Sequence, residues 1–206
     1  MHKSGDTGTV LPYWNHNTAY YPAIRRAVSA CGCRNVLDVG CGDGLLCRYL
    51  DDGSREITGI DPFPDGIRAA EAFSSPRLHF IIADFLSWET DDGFDAVIFS
   101  ASLHHMEKET ALRKAKELLV PGGLLYIVGL ASPSSPADRI VEGLRVIPAA
   151  VSSRIHHIRT CEDARIPTSY AFPSMRDIRE LQKDLLPGAS LRYGLYYRYI
   201  LQWRKP

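Results

Sequence analysis

The chemistry that this sequence can do is concentrated in one glycine-rich turn, three aspartates and a pair of histidines. Glycines at 40, 42 and 44 follow an apolar run, Val36 to Val39, that carries a single acid, Asp38. A strand that enters a helix through such a turn brings backbone N–H groups close to a ligand where side chains would block the approach. The turn reads G-x-G-x-G. Leu45 stands where a dinucleotide fingerprint needs its third glycine, and the GK[ST] ending of a phosphate-cradling loop is missing. Asp61 lies 21 residues after Gly40 and closes a second apolar run. A carboxylate there can accept both hydroxyls of an adenosyl ribose, whichever cofactor carries it; capping the next helix is its competing use. Asp84-Phe85 sets an acid beside an aromatic, a pair suited to the amino group and face of an adenine, or to a short helix cap. His104 and His105 follow a further apolar run. Sequence neighbours point apart, so they form no chelate, but either imidazole can move a proton or stay a plain loop histidine.

Composition narrows the classes. The 206 residues are 45% hydrophobic and 23% charged, which fits one globular domain or one domain with a modest insertion. Lys plus Arg equals Asp plus Glu at 24 each, so the basic surplus of a nucleic-acid binder is missing. The longest apolar stretch, residues 118–131, is broken by Pro121-Gly122-Gly123 and is too short for a membrane span. The first residues lack the apolar segment of a signal peptide, and a cytoplasmic protein is expected. Five cysteines, with Cys31 and Cys33 one residue apart, support reduced thiols rather than a disulfide framework or a metal knuckle. No metal is expected, and no pattern assigns an oligomeric state.

These residues need elements to hold them. The aromatic and polar cluster Pro12 to Asn17 reads as a packed N-terminal arm or a lid, and apolar spacing at Tyr20, Ile24, Ala27 and Val28 predicts a helix over 18–30, ended by Gly32. Strands are predicted at 35–39, 56–60, 78–82, 94–99 and 124–129, alternating with helices at 44–51, 65–73 and 108–119. Apolar strands in that rhythm make a parallel sheet covered on both faces. Each polar residue named above then falls at the carboxyl end of a strand, where ligands bind in such sheets. Pro121 is expected to end its helix and the two glycines to reverse the chain. After Gly129 the pattern changes: a helix near 136–150, an irregular stretch, and a helix over 174–186 capped by Ser174 and stopped by Pro187-Gly188. The tail from 189 to 204 alternates in two runs around Gly194, a closing hairpin.

Five landmarks in order carry a resemblance: Val36 to Gly44, Asp61, Asp84-Phe85, Phe94 to Met106, and Leu118 to Tyr126. Together they resemble the class I S-adenosylmethionine-dependent methyltransferases. The resemblance implies a Rossmann-like α/β fold, a seven-stranded mostly parallel sheet with helices on both faces and a C-terminal antiparallel hairpin. It divides a single domain, 1–206, into an N-terminal arm and helix (1–30), a cofactor core (31–130), a substrate-cap insertion (131–173) and a final helix and hairpin (174–206). S-Adenosylmethionine is the implied cofactor and S-adenosylhomocysteine the product. The implied cofactor contacts are Tyr20, Asp38, Gly40, Cys41, Gly42, Asp61, Pro62, Asp84, Phe85, Ser100 and Ala101; Asp95 reads as structural. His16, Asn17, Tyr20 and His104 fall on the acceptor side. His104 or His105 is the candidate base, with His16 and Tyr20 as alternatives. The expected activity is methyl transfer to an oxygen or nitrogen of a small molecule. The competing readings are a non-catalytic binder of the cofactor or its product, a methyltransferase acting on RNA or protein, and an NAD-dependent oxidoreductase. The loop after the fourth apolar run lacks the Asp/Asn-Pro-Pro-Tyr/Phe pattern with which base amino methylases hold a flipped base.

Overall fold

The computed structural model describes residues 15–132, 172–195 and 198–206. The helix expected near 136–150, most of the cap insertion, and Pro12 to Trp14 of the arm lie outside the described residues. A 3-10 turn, Thr18–Tyr20, leads into α1, Tyr21–Ala30, which starts with Pro22 in its first turn and buries Ile24 and Val28 on one face. The alternating units follow: β1 Asn35–Val39, α2 Leu45–Leu50, β2 Glu56–Asp61, α3 Pro64–Glu71, β3 Leu78–Ile82, β4 Phe94–Ser100, α4 Lys108–Leu118 and β5 Leu119–Leu130. Helix α5, Met175–Leu185, opens with a reciprocal capping box between Ser174 and Asp177. The chain closes with β6, Ser190–Tyr193, and β7, Arg198–Arg204.

The seven strands lie in the order β3-β2-β1-β4-β5-β7-β6. Strands β1 to β5 are parallel, and β7 slots antiparallel between β5 and β6. The strand order reverses at β1 and β4, which makes their carboxyl ends the crevice of the sheet. Because β7 runs the other way, its first residue, Arg198, pairs with Leu130 at the end of β5 and joins that same edge.

Alternate residues of each strand feed two cores. Leu37, Val39, Val97, Phe99, Leu125 and Ile127 pack with α4 and α5, whereas Val36, Ala96, Ile98, Tyr126 and Val128 pack with α1, α2 and α3. Asp95 is structural, as expected: one carboxylate oxygen accepts the Arg34 and Asn35 amides and pins the start of β1.

Two expectations change. Pro121 does not end α4, which stops at Leu118, and the Pro-Gly-Gly segment lies inside β5. The pairing jumps from Phe94 with Leu119 to Ala96 with Leu124, so the extra β5 residues bulge outward. The Gly122 amide donates to the Lys205 carbonyl, tying the bulge to the tail. Strand β3 is an edge strand, with Ile81 and Ile82 exposed at 37% and 51%, so the covering of both faces does not extend to it.

Candidate active site

The turn after β1 is built against β2 and the β4 loop. The Gly40 and Cys41 amides both donate to the Ile60 carbonyl, at 2.8 and 3.0 Å, and the Gly42 amide donates to Asp61 Oδ2 at 2.9 Å. The expectation that these amides face a ligand is therefore corrected: β2 uses them. The glycines differ in what requires them. A Cβ on Gly40, which has φ +75°, would run into Ser102, and one on Gly44 into the Phe80 ring. Gly42 alone of the three has nothing within 4 Å, so its face stays open at the crevice.

Asp38 is buried. Its Oδ2 accepts the Cys47 thiol at 3.3 Å, and its Oδ1 has no partner. Burial pushes its pKa up to about 7 against that thiol hydrogen bond, and the Asp61 charge adds to the rise. Cys41 turns its sulfur into the same core, where it packs with Cys47 over Gly59, so only its backbone borders the crevice. Asp61 is 7% exposed and accepts one amide on each oxygen, Gly42 on Oδ2 and Phe63 on Oδ1. A carboxylate has about four lone-pair directions, so both oxygens keep room for hydroxyls. Pro62 is exposed beside it.

Asp84 is exposed, and its Oδ1 accepts the Leu86 and Ser87 amides of a short turn. Phe85 is corrected. Its ring is 1% exposed and meets Phe99 edge-on at 5.5 Å inside the core, so it offers no face to an adenine and only its backbone borders the site.

At the end of β4, Ser100 has a buried Oγ with no partner. Ala101 is the sole described non-glycine with positive φ, at 60°, a strained conformation of the sort that collects at ligand sites. Ser102, which sequence reasoning missed, donates its hydroxyl to the Val39 carbonyl and clamps the β4 loop over Gly40. Nothing in a Ser-Ala-Ser run distinguishes that serine.

The expectation that the two histidines point apart is corrected: they sit in a 3-10 turn, Leu103–His105, and their rings lie 3.9 Å apart. His104 is half-buried, its Nδ1 is fully covered without a partner, and its ring meets Phe172 edge-on at 5.3 Å. Burial first, then the His105, Arg198 and Lys108 charges, hold its pKa down to about 4. His105 is exposed; burial lowers its pKa while the Asp61 charge opposes the shift, which places it toward the ribose acid. His16 is lowered by burial and then by Arg198. The Asn17 side-chain oxygen accepts from Arg198 Nη2. Tyr20 is corrected: it is 8% exposed and its hydroxyl donates to the Leu195 carbonyl at 2.6 Å, binding the N-terminal segment to the tail hairpin. Arg198 is the other residue missed. Its signal was an arginine in phase with Ile200 on a strand face that turns inward. Among the described residues no group of three His, Cys, Asp or Glu could hold a metal.

The family described as "Methyltransferase domain" matches residues 36–123. An uncharacterized methyltransferase of Mycobacterium bovis is 33% identical over 198 residues, covering 94% of this chain and 98% of its own. The chain belongs to the class I S-adenosylmethionine-dependent methyltransferases. The human mitochondrial ubiquinone biosynthesis O-methyltransferase is 35% identical over 101 residues, 45% of this chain and 27% of that one. The magnesium protoporphyrin IX methyltransferase of Synechocystis, solved with bound S-adenosylhomocysteine, superposes with a TM-score of 0.62 at 18% identity over 93% of this chain and 83% of that one. Such a likeness speaks for the fold. S-Adenosylmethionine is the cofactor, and the methyltransferase's crevice fits it on three observations. Gly42 leaves open space, Asp61 keeps acceptor capacity, and Asp38 Oδ1 and Ser100 Oγ are buried polar atoms without partners.

Proposed function

We propose that this methyltransferase moves a methyl group to an oxygen or nitrogen of a small-molecule acceptor, with His104 as the base. The observation that carries the reading is His104 itself: a half-buried imidazole kept unprotonated at neutral pH, with an unpartnered Nδ1, just past the carboxyl end of β4. The names of two similar proteins support a small acceptor, one being a ubiquinone biosynthesis O-methyltransferase and the other acting on magnesium protoporphyrin IX.

Bound S-adenosylmethionine supplies an already electrophilic methyl group. What this chain adds is alignment, exclusion of water and removal of a proton. Asp61 holds the ribose hydroxyls, with Pro62 at its side. Asp84 and the Phe85 backbone hold the adenine. Gly40, Cys41, Gly42, Ser100 and Ala101 border the methionine part, with Asp38 buried behind it. His104 takes the proton of a hydroxyl acceptor as its oxygen attacks; a neutral amine needs no base before attack. His16 and Asn17 line the acceptor side, and His105 stands between that side and Asp61. We read residues 1–206 as one domain. Among the described residues no helix is long and apolar enough to cross a membrane, and we place the enzyme in the cytoplasm.

The test is methyl transfer from labelled S-adenosylmethionine to a panel of hydroxyl and amine acceptors. His104→Ala should slow transfer to a hydroxyl acceptor by about 100-fold or more, with S-adenosylhomocysteine affinity unchanged. Equal turnover in the variant removes His104 from the mechanism.

A further inference from the structure

The acceptor side holds a base with no carboxylate behind it, and an aromatic ring stands beside that base. We propose that the methyl acceptor is a phenol, methylated on its oxygen, with Phe172 against its ring. This deepens the proposed function and rests on it, because it names the acceptor class of that same site.

The backbone places the aromatic ring. Just past the end of β5, the Ser132 amide donates to the Pro173 carbonyl at 2.9 Å, and Ser132 pairs with Ser174 in a parallel bridge. That tie sets half-buried Phe172 beside the loop after β4, where its ring meets the His104 ring edge-on at 5.3 Å. His104 Nδ1 is covered, which leaves Nε2 as the nitrogen that can meet an acceptor. A hydroxyl that reaches it comes in beside the Phe172 ring. A planar aromatic body suits that wall, because aromatic pairs favour offset or edge-on contact.

What stands behind the base decides how acidic the hydroxyl must be. In a Ser-His-Asp triad a carboxylate accepts from the far imidazole nitrogen and stabilises the imidazolium. His104 Nδ1 has no such partner, and among the described residues no acid acts on the ring. Burial first, then the His105, Arg198 and Lys108 charges, hold its pKa down to about 4. Asp61 acts on His105 instead, and Lys108 also acts on Glu107 and Asp177. An alcohol is about as weak an acid as water, about 16, so its proton starts about twelve decades uphill to such a base; a phenol, about 10, starts about six. A site that disfavours an imidazolium also disfavours the ammonium that methylation of an amine creates. Oxygen is therefore the better acceptor atom. In the step, His104 Nε2 takes the phenol proton and a C–O bond forms at the methyl carbon. The methyl–sulfur bond breaks with its electron pair left on the sulfur of S-adenosylhomocysteine, and the imidazolium then gives its proton to water.

The experiment measures methyl transfer from labelled S-adenosylmethionine by the full chain to 4-methylphenol, benzyl alcohol and 4-methylaniline, which match in size. The phenol is expected to react about 100-fold or more faster than either. 4-Nitrophenol, supplied at a pH where it is ionised, needs no base. His104→Ala should leave its transfer within about threefold of wild type, while 4-methylphenol loses about 100-fold. Phe172→Leu should raise KM for 4-methylphenol by about threefold or more with kcat within about twofold of wild type. Benzyl alcohol or 4-methylaniline reacting at the phenol's rate would overturn the proposal. So would equal losses for the two phenols in His104→Ala, or no transfer to either phenol while S-adenosylhomocysteine binds normally. If Phe172→Leu does not fold, the acceptor comparison and His104→Ala decide. Failure of S-adenosylhomocysteine itself to bind would overturn the cofactor reading first, and this one with it.

Discussion

On the proposed reading, a single imidazole removes the proton of a hydroxyl acceptor. His104 is neutral because burial and three basic neighbours disfavour its protonated form, so at neutral pH it has a free nitrogen lone pair but a lowered proton affinity. His105, one residue on, is exposed and opposed by Asp61, and it has no comparable environment. The two were indistinguishable as letters. His105→Ala should therefore leave methyl transfer to a hydroxyl acceptor within about threefold of wild type, against a loss of about 100-fold or more for His104→Ala; labelled-cofactor turnover separates them. Asp61 and Asp84 were legible as acids at strand ends. Their hydrogen bonds to the Gly42, Phe63, Leu86 and Ser87 amides were not, since those amides approach only once the turns have formed.

At the scale of elements, the glycine turn has two unlike halves. Gly40 is required by Ser102 of a strand loop sixty residues away, and Gly42 faces open space. Gly40→Ala forces both a clash and an unfavourable φ, and should cost about 2–4 kcal/mol in urea unfolding. Gly42→Ala meets only the strain of its φ of +56°, about 1–2 kcal/mol. It should stay folded while weakening S-adenosylhomocysteine by about tenfold or more, because the added methyl enters the crevice; calorimetry on the folded variant reads this directly. Strand boundaries followed closely from the apolar runs: β1 and β3 fall on their predicted residues, and β2 and β4 each extend by one polar residue, Asp61 and Ser100. The error at Pro121 has a plain cause. Proline forbids a helix interior but not a bulge, and the choice between a reversal and a bulge was made by Lys205 in the tail.

For the whole molecule, two shifted groups, half-buried His104 and buried Asp38, give stability opposite pH dependences. His104 is shifted from 6.5 to about 4, so as pH falls between those values the unfolded chain takes a proton that the folded one refuses, and stability falls. Asp38 is shifted from 3.8 to about 7, so as pH rises through that range the unfolded chain releases a proton that the folded one keeps, and stability again falls. Their slopes oppose each other over the shared window. His104→Gln should expose the Asp38 slope, with stability declining from about pH 4.5 to 7, and Asp38→Asn the reverse; thermal unfolding at several pH values reads both signs. Ligand linkage acts on the same scale: S-adenosylhomocysteine at about 100 times its Kd should add about 2.7 kcal/mol to stability, visible as a raised Tm.

The sequence by itself determined the parallel sheet with its closing hairpin and which strand ends carry polar residues, because local spacing and turn chemistry encode these within a few neighbouring residues; the cofactor class came from the resemblance of five ordered landmarks to a known family. Only the tertiary structure decided which side chains share the crevice. It turned the Phe85 ring inward, occupied the Tyr20 hydroxyl with Leu195, and set Arg198 beside Asn17 and His104. The Tyr20–Leu195 and Asn17–Arg198 contacts join segments from opposite ends of the chain. No local pattern records them, since they exist only after β7 has inserted between β5 and β6.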